Sequence, residues 1–347
     1  MNPLHDAKSL VLWMTNDCNL RCKYCYAEAG RKKEYMDFET AKLALHTPKN
    51  EKFSVQLTGG EPLMNFEIIE KIYEEIKNSK LNVSRIMIQT NGTLITPEIA
   101  KKIKKMNIAL GVSLDGPPAA NEKLRGKTSM AIDGLRALAA EGLMVNLNCV
   151  VTSLNVNYLK DLVDFAFYLG NVKGIGLDLL RKVGYANDFE DEIREADPAD
   201  IKENLIKAHA RTNELFRLSG KKIIIREIEE AKIRLVSKDI CKGYCYAMHG
   251  KSMVVVPNGG IYPCGSFIGD PGYHMGNIKN IESLRKIKIE NNKPKRCVSC
   301  IYNDICPGGC PSRVIVNVGK DQHSEQDCIL RRTSFEIVKS ENSIKKS

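Results

Sequence analysis

Cys18, Cys22 and Cys25 stand in CNLRCKYC, directly after the apolar run SLVLWMT. Three thiolates spaced C-x3-C-x2-C hold three corners of a four-iron cluster and leave the fourth iron without a protein ligand. An open metal position is where a small molecule binds and reacts, by the logic that separates catalytic from structural zinc. A zinc knuckle needs a fourth ligand, and no other Cys or His lies near the triplet. Any fold for this chain must therefore present a reactive loop at the end of its first apolar segment.

The rest of the chain alternates short β-rich runs with amphipathic helical patterns. Strands are expected at 9–15, 53–59, 85–91, 107–115, 145–153 and 172–180, with helices at 66–78, 97–106, 131–142 and 157–170 between them. Such alternation implies parallel strands joined by right-handed crossovers. Six units fall short of the eight in a closed barrel, so the expected fold is α/β, an open partial (β/α)6 TIM-like barrel. The polar motifs obey the rule that ligands bind at strand C-termini. The triplet follows the first strand, Thr58-Gly59-Gly60-Glu61-Pro62 the second, Asn91 the third, and Ser113 and Asp115 the fourth. A charged stretch at 182–200 leaves the barrel, a helix to about Ser219 and a basic helix follow, and a boundary is expected near residue 230.

Beyond it the composition changes. Eight of the twelve cysteines lie in the last third, with a hairpin signal at 253–264 turning at Asn258-Gly259. Read forward they are Cys241, Cys245, Cys264, Cys297, Cys300, Cys306, Cys310 and Cys328. On a helix, Cys241 and Cys245 would share one face. Eight thiolates suffice for two fully coordinated four-iron clusters. Structural zinc is the alternative, but the gaps of five and three residues suit a zinc ribbon poorly. Cys149, inside an apolar strand, reads as a small buried hydrophobe.

The triplet, Tyr24 just before its last cysteine, and the GGEP stretch resemble the radical S-adenosylmethionine (SAM) superfamily. The later cysteines, from Cys245-x13-Gly259-x4-Cys264 to Cys310-x17-Cys328, resemble its SPASM domains, a small cysteine-rich α+β appendix of peptide and protein maturases. The resemblance implies a barrel over 1–230 and a SPASM domain over 231–347. It implies three [4Fe-4S] clusters: one SAM-binding cluster on Cys18, Cys22 and Cys25, and two auxiliary ones. Cys241, Cys245, Cys264 and Cys310 would hold the first auxiliary cluster, and Cys297, Cys300, Cys306 and Cys328 the second. The short gap between Cys241 and Cys245 leaves open whether the first keeps an uncoordinated iron. Tyr24, Gly59, Gly60, Glu61, Pro62, Asn91, Ser113, Asp115 and Arg125 resemble family positions around SAM, with Arg125 suited to pair with its carboxylate or, alternatively, to a surface salt bridge.

The activity so implied is reductive cleavage of SAM to a 5′-deoxyadenosyl radical, used to oxidise or crosslink a peptide or protein side chain. The cofactor supplies the hard step, and the protein positions and shields it. Anaerobic sulfatase-maturing enzymes are similar in cysteine spacing, but they carry a catalytic aspartate where this chain has Gly265. That difference favours another modification, such as a thioether or carbon–carbon crosslink. No catalytic proton acceptor is identified. Rival expectations are a radical SAM enzyme acting on a small molecule or in cofactor biosynthesis, and a non-enzymatic multi-cluster electron carrier.

The bulk numbers agree. Twelve cysteines with no signal peptide and no apolar membrane span suggest a cytoplasmic metal-binding protein rather than a disulfide scaffold. The net charge of +10 is scattered along the chain and suits an acidic reductant such as a ferredoxin or flavodoxin, or an acidic peptide. Aromatics are only 6% of residues and form no basic stripe with the cations, so nucleic acid is not the expected partner. Few residues precede the first strand, so leader recognition is expected to fall to a separate protein or to the SPASM domain.

Overall fold

The structure is a computed structural model that describes residues 2–49, 52–237, 240–241 and 243–344. Six strands form its centre: β1 (Ser9–Trp13), β2 (Phe53–Thr58), β3 (Val83–Thr90), β4 (Ala109–Ser113), β5 (Val145–Val151) and β6 (Val172–Leu179). They are parallel and adjacent in chain order. Two-residue β7 (Ile224–Ile225) extends the β6 edge. On the other side β8 (Ser252–Val255) pairs parallel to β1, and β9 (Ile261–Tyr262) pairs antiparallel to β8. The result is one nine-stranded open sheet, and it continues across residue 230. The hairpin turns at Asn258-Gly259, where φ of +87° at Gly259 is the left-handed conformation an Asn-Gly turn provides.

Helices α1 (Phe38–Leu45), α2 (Phe66–Asn78), α3 (Pro97–Lys105), α4 (Pro118–Leu124), α5 (Thr128–Ala140) and α6 (Leu159–Leu169) cross between the strands. The sequence punctuates them. Asp37 caps α1 through the Thr40 N–H, and Thr96 caps α3 ahead of Pro97. The short α7 (Tyr185–Asp188) precedes α8 (Pro198–Ser219) and α9 (Arg226–Ser237). The chain ends in α10 (Pro311–Val318) and α11 (Glu325–Ile344), and α11 packs back onto α8 and α9.

Alternation along the strands divides the interior. Val55, Leu57, Ile88, Leu110, Val112, Leu147, Ile175 and Leu177 are buried in the main core with the helices. Their alternates face the hollow of the sheet: Gln56, Gln89, Ser113, Asn148 and Asp178, partly accessible and polar. Cys149 is fully buried in the core, as expected. The observed strands are a residue or two shorter than expected at most ends, where chain extension gives way to the loops that carry the motifs.

Candidate functional site

Each motif expected at a strand C-terminus is found there. The triplet loop leaves β1, Glu61 follows β2, Asn91 follows β3, and Ser113 ends β4 with Asp115 two residues on. Thiols Cys18 and Cys22 are buried and Cys25 is half-buried. Arg21 stitches the loop together, donating to the carbonyls of Leu20 at 2.8 Å and Gly30 at 3.2 Å. The Leu20 N–H points at the Cys18 sulfur at 3.4 Å, and the Asn91 amide lies 3.8 Å from it.

The two glycines have a packing job in this loop. Gly60 and Glu61 donate their N–H groups to the carbonyls of Thr15 and Asp17, at 2.7 and 2.9 Å. A Cβ on Gly60 would stand 1.9 Å from the Asp17 oxygen, and one on Gly59 2.5 Å from the Thr15 oxygen. The glycines thus let the cysteine loop lie directly on this segment. Glu61 is fully buried and accepts from the Thr90 hydroxyl (2.6 Å), the Asn91 N–H (2.7 Å) and the Leu63 N–H (3.1 Å). Its carboxylate is spent on holding β2 to β3, and burial still raises its pKa. Pro62 is buried at the start of the turn that Glu61 caps. Ser113 accepts from Gln89 at 3.0 Å, and Asn148 donates to Gln89 in turn, so these amides form a chain across the hollow.

Arg125 is inside, not on the surface. It donates to the Tyr24 hydroxyl at 2.5 Å and lies 3.6 Å from Asp115, and Tyr24 donates to that same carboxylate. Burial pushes the Cys22 thiol up to about 12, and the Arg125 charge opposes this. A metal ligand must be a thiolate, so the buried cation lowers the cost of deprotonating the triplet.

The later cysteines gather in two places. Cys264 and Cys310 meet at Ser312, with sulfur–oxygen distances of 3.6 and 3.4 Å. Cys245 lies in the field of both, and burial pushes its thiol up to about 11. Cys297, Cys300, Cys306 and Cys328 together line one cavity of about 400 Å3. Cys241 departs from expectation. It and Cys245 do not share a helical face: the Cys241 N–H bonds to the Asp304 carbonyl at 2.7 Å, and Gly243 adopts φ of +150°, outside the helical region. The Cys241 sulfur accepts from Arg234 at 2.7 Å, beside the second set's loop. Among the described residues no three Cys, His, Asp or Glu side chains converge on a single ion. The donor chemistry suits polynuclear iron–sulfur clusters, in which each iron takes its own thiolate.

Sequence reasoning missed what joins the two regions. Asp178 at the end of β6 pairs with Arg181 at 2.7 Å and with buried Arg313, which also grips Asp327. Burial would raise the Asp178 pKa, but Arg181 and Arg313 overcome it and hold the carboxyl well below its usual range. Arg181 reaches the Cys310 sulfur at 3.6 Å and lies over the Tyr26 ring. Tyr26 meets Trp13 edge-on at 6.5 Å. Tyr26 is 37% exposed. A Cβ at Gly265 would stand 3.0 Å from the Trp13 ring and 3.4 Å from the Tyr26 hydroxyl. The place of an acid at 265 is therefore taken by two aromatic rings. The spacings Cys310–Arg313 and Asp327–Cys328 were the only hints, and neither names a partner.

The Radical SAM superfamily profile matches residues 14–166. An uncharacterized protein, MJ0907, of Methanocaldococcus jannaschii is 34% identical over 84% of this chain and 94% of its own length. The radical SAM cyclopropyl synthase TigE of Paramaledivibacter caminithermalis is 27% identical, over 87% and 67% of the two chains. An AdoMet-dependent heme synthase of Nitratidesulfovibrio vulgaris is 26% identical, over 91% and 90%. Among solved structures, anSMEcpe with bound AdoMet and a Cp18Cys peptide superposes with a TM-score of 0.77 at 23% identity, covering 97% of this chain and 99% of that one. SuiB of Streptococcus suis, bound to its precursor peptide SuiA, gives 0.69 at 19% identity, over 94% and 76%. Triplet, parallel sheet and profile agree: this chain belongs to the radical SAM superfamily and is an enzyme with the fold of its SPASM-type members.

Proposed function

We propose that the protein cleaves SAM reductively and oxidises a side chain of a peptide or protein, with residues 1–230 as the SAM-cleaving barrel and 231–347 carrying two auxiliary clusters. The observation that best supports this is the second thiol group at the mouth of the barrel. Cys264 and Cys310 meet at Ser312, and Arg181 ties Cys310 to the end of β6. Oxidative modification removes two electrons from its substrate, so a second redox group beside the cleft is what the reaction requires.

When bound, a cluster on Cys18, Cys22 and Cys25 together with SAM supplies one-electron cleavage of a carbon–sulfur bond. The chain's own residues hold and shield that chemistry. Gly59 and Gly60 seat the triplet loop, Arg125 with Asp115 and Tyr24 offers a fixed positive charge for a carboxylate, and Asn91 and Ser113 present polar groups on the same rim. The amides of Gln89 and Asn148 match the alternating donors and acceptors of a peptide backbone. Trp13, Val254 and Val256 form a small buried apolar cluster behind Tyr26 and Gly265. Peptides bound to two proteins of the same fold support this reading. We further assign the reductant to a ferredoxin or flavodoxin.

The heme synthase relative, which spans nearly the whole chain, favours a second reading: a small-molecule or cofactor-biosynthetic substrate. A pure electron carrier is disfavoured, because it has no use for the packed GGEP rim. The test is anaerobic reconstitution, an iron count, and assay of 5′-deoxyadenosine release with short peptides encoded beside the gene and, separately, with iron-coproporphyrin. About twelve irons per chain and a dehydrogenated peptide are expected. Turnover of the porphyrin with unchanged peptides establishes the second reading. Iron without SAM cleavage returns the chain to the carriers.

A further inference from the structure

The cavity that the second thiol set lines lies under an unusual stretch of surface. Val298 and Ile301 are each 79% exposed, and they flank Cys297 and Cys300, whose thiols are half-buried. Their neighbour Tyr302 turns the other way, is 4% exposed, and stacks on Phe335 at 4.7 Å. The loop is thus anchored from beneath while two aliphatic side chains are held out in water. Ile240, 76% exposed, precedes Cys241, whose N–H bonds to the Asp304 carbonyl at 2.7 Å, three residues on from Ile301. Exposed aliphatics on a rigid loop do nothing for the core and mark contact surfaces.

The charge around them has one prevailing sign. Residues 293–301 carry Lys293, Lys295 and Arg296 and no carboxylate. At the borders of this stretch Glu325 faces Arg296 at 3.5 Å, and Asp321 accepts from the Asn292 N–H. An apolar centre with a cationic rim over half-buried thiols fits a small acidic partner that needs a short path to a redox centre.

We propose that residues 293–301, with Ile240, form the docking face for an acidic one-electron carrier protein. The proposal rests on the reading that Cys297, Cys300, Cys306 and Cys328 hold a cluster. It names where the reductant, or the acceptor of the substrate's second electron, meets the enzyme. A second copy of this chain would bring the same cations and meet repulsion, whereas an acidic carrier meets attraction.

The test is direct binding of a flavodoxin, an acidic carrier, to the full-length reconstituted protein by titration calorimetry at low and moderate salt. Binding is expected to weaken with salt. The double variant Val298→Glu with Ile301→Glu should bind at least tenfold more weakly, with iron content and cluster EPR signals unchanged. Leu218→Glu, at a 76% exposed site on α8, should bind like the parent. Equal binding by the parent and the double variant overturns the proposal, as does absence of binding by the parent at low salt. It is also overturned if the parent self-associates in sedimentation and the double variant does not, since the occupant is then a second copy. Failure of the cluster reading would show separately, as missing iron rather than altered binding.

Discussion

At the scale of single residues, the site is decided by what cannot grow. Gly60 has no room for a methyl group because the Asp17 carbonyl occupies the space. Gly60→Ala should cost the triplet its cluster, read as a loss of about four irons per chain with the auxiliary irons retained. Gly265→Asp drives a carboxylate against the Trp13 ring and the Tyr26 hydroxyl. Overpacking of this kind costs about 1–3 kcal/mol. Urea unfolding should show that loss, and the variant should gain no sulfatase-maturing activity. Arg125 acts through charge. Burial raises the Cys22 pKa and the guanidinium opposes it, so Arg125→Met should raise it further. Iron incorporation followed against pH should then need a more alkaline medium than the parent does.

At the scale of elements, β6, α10 and α11 are locked by one charged cluster. Arg313 is 3% exposed and bridges Asp178 of β6 to Asp327 in the first turn of α11. Removing one partner of a buried pair leaves the other charge uncompensated, at about 3–5 kcal/mol. Arg313→Met should lose stability on that scale, less whatever solvent screens at the partly open Asp178. Burial would raise the Asp327 pKa, but Arg313 and the hydrogen bonds from Ser324 and the Cys310 N–H hold it below its ordinary value. The sign follows: this contribution is present above the unfolded carboxylate's pKa of about 3.9 and is lost as pH falls through the lower folded value. Trp13, the only tryptophan in the chain, lies beside Gly265, so its fluorescence in an acid titration is the measurement. A transition well above pH 4 would count against the clamp. The cross-link between the two regions was not legible in the sequence, because Asp178 carries no sign of a partner, Arg313, that lies 135 residues away. The helices and strands were legible, since periodicity and caps such as Asp37 and Thr96 are local signals. Cys241 misled for the same reason: its spacing from Cys245 is local, and the Asp304 carbonyl that draws it away is not.

For the whole molecule, the β8–β9 hairpin is part of the barrel's own sheet rather than an attachment to it. Leu10 and Leu12 of β1 pair in register with Val55 and Leu57 on one side and Met253 and Val255 on the other. A fragment ending at residue 230 would bare the β1 edge together with its apolar neighbours, a template for aggregation. It should fail to give a monomeric folded species by size exclusion and circular dichroism. The hairpin was legible at Asn258-Gly259, and its pairing with β1 was not, because parallel partners share no turn. The backbone contact between the cysteine loop and the GGEP segment has its own outcome. Its hydrogen bonds, Gly60 to Thr15 and Glu61 to Asp17, involve no sulfur and no metal. Small zinc domains fold only when the ion arrives. Here peptide groups and the Arg21 guanidinium set the mould, so the newly made chain can take shape before its metal, with iron delivery becoming a late and separate event in the life of the protein.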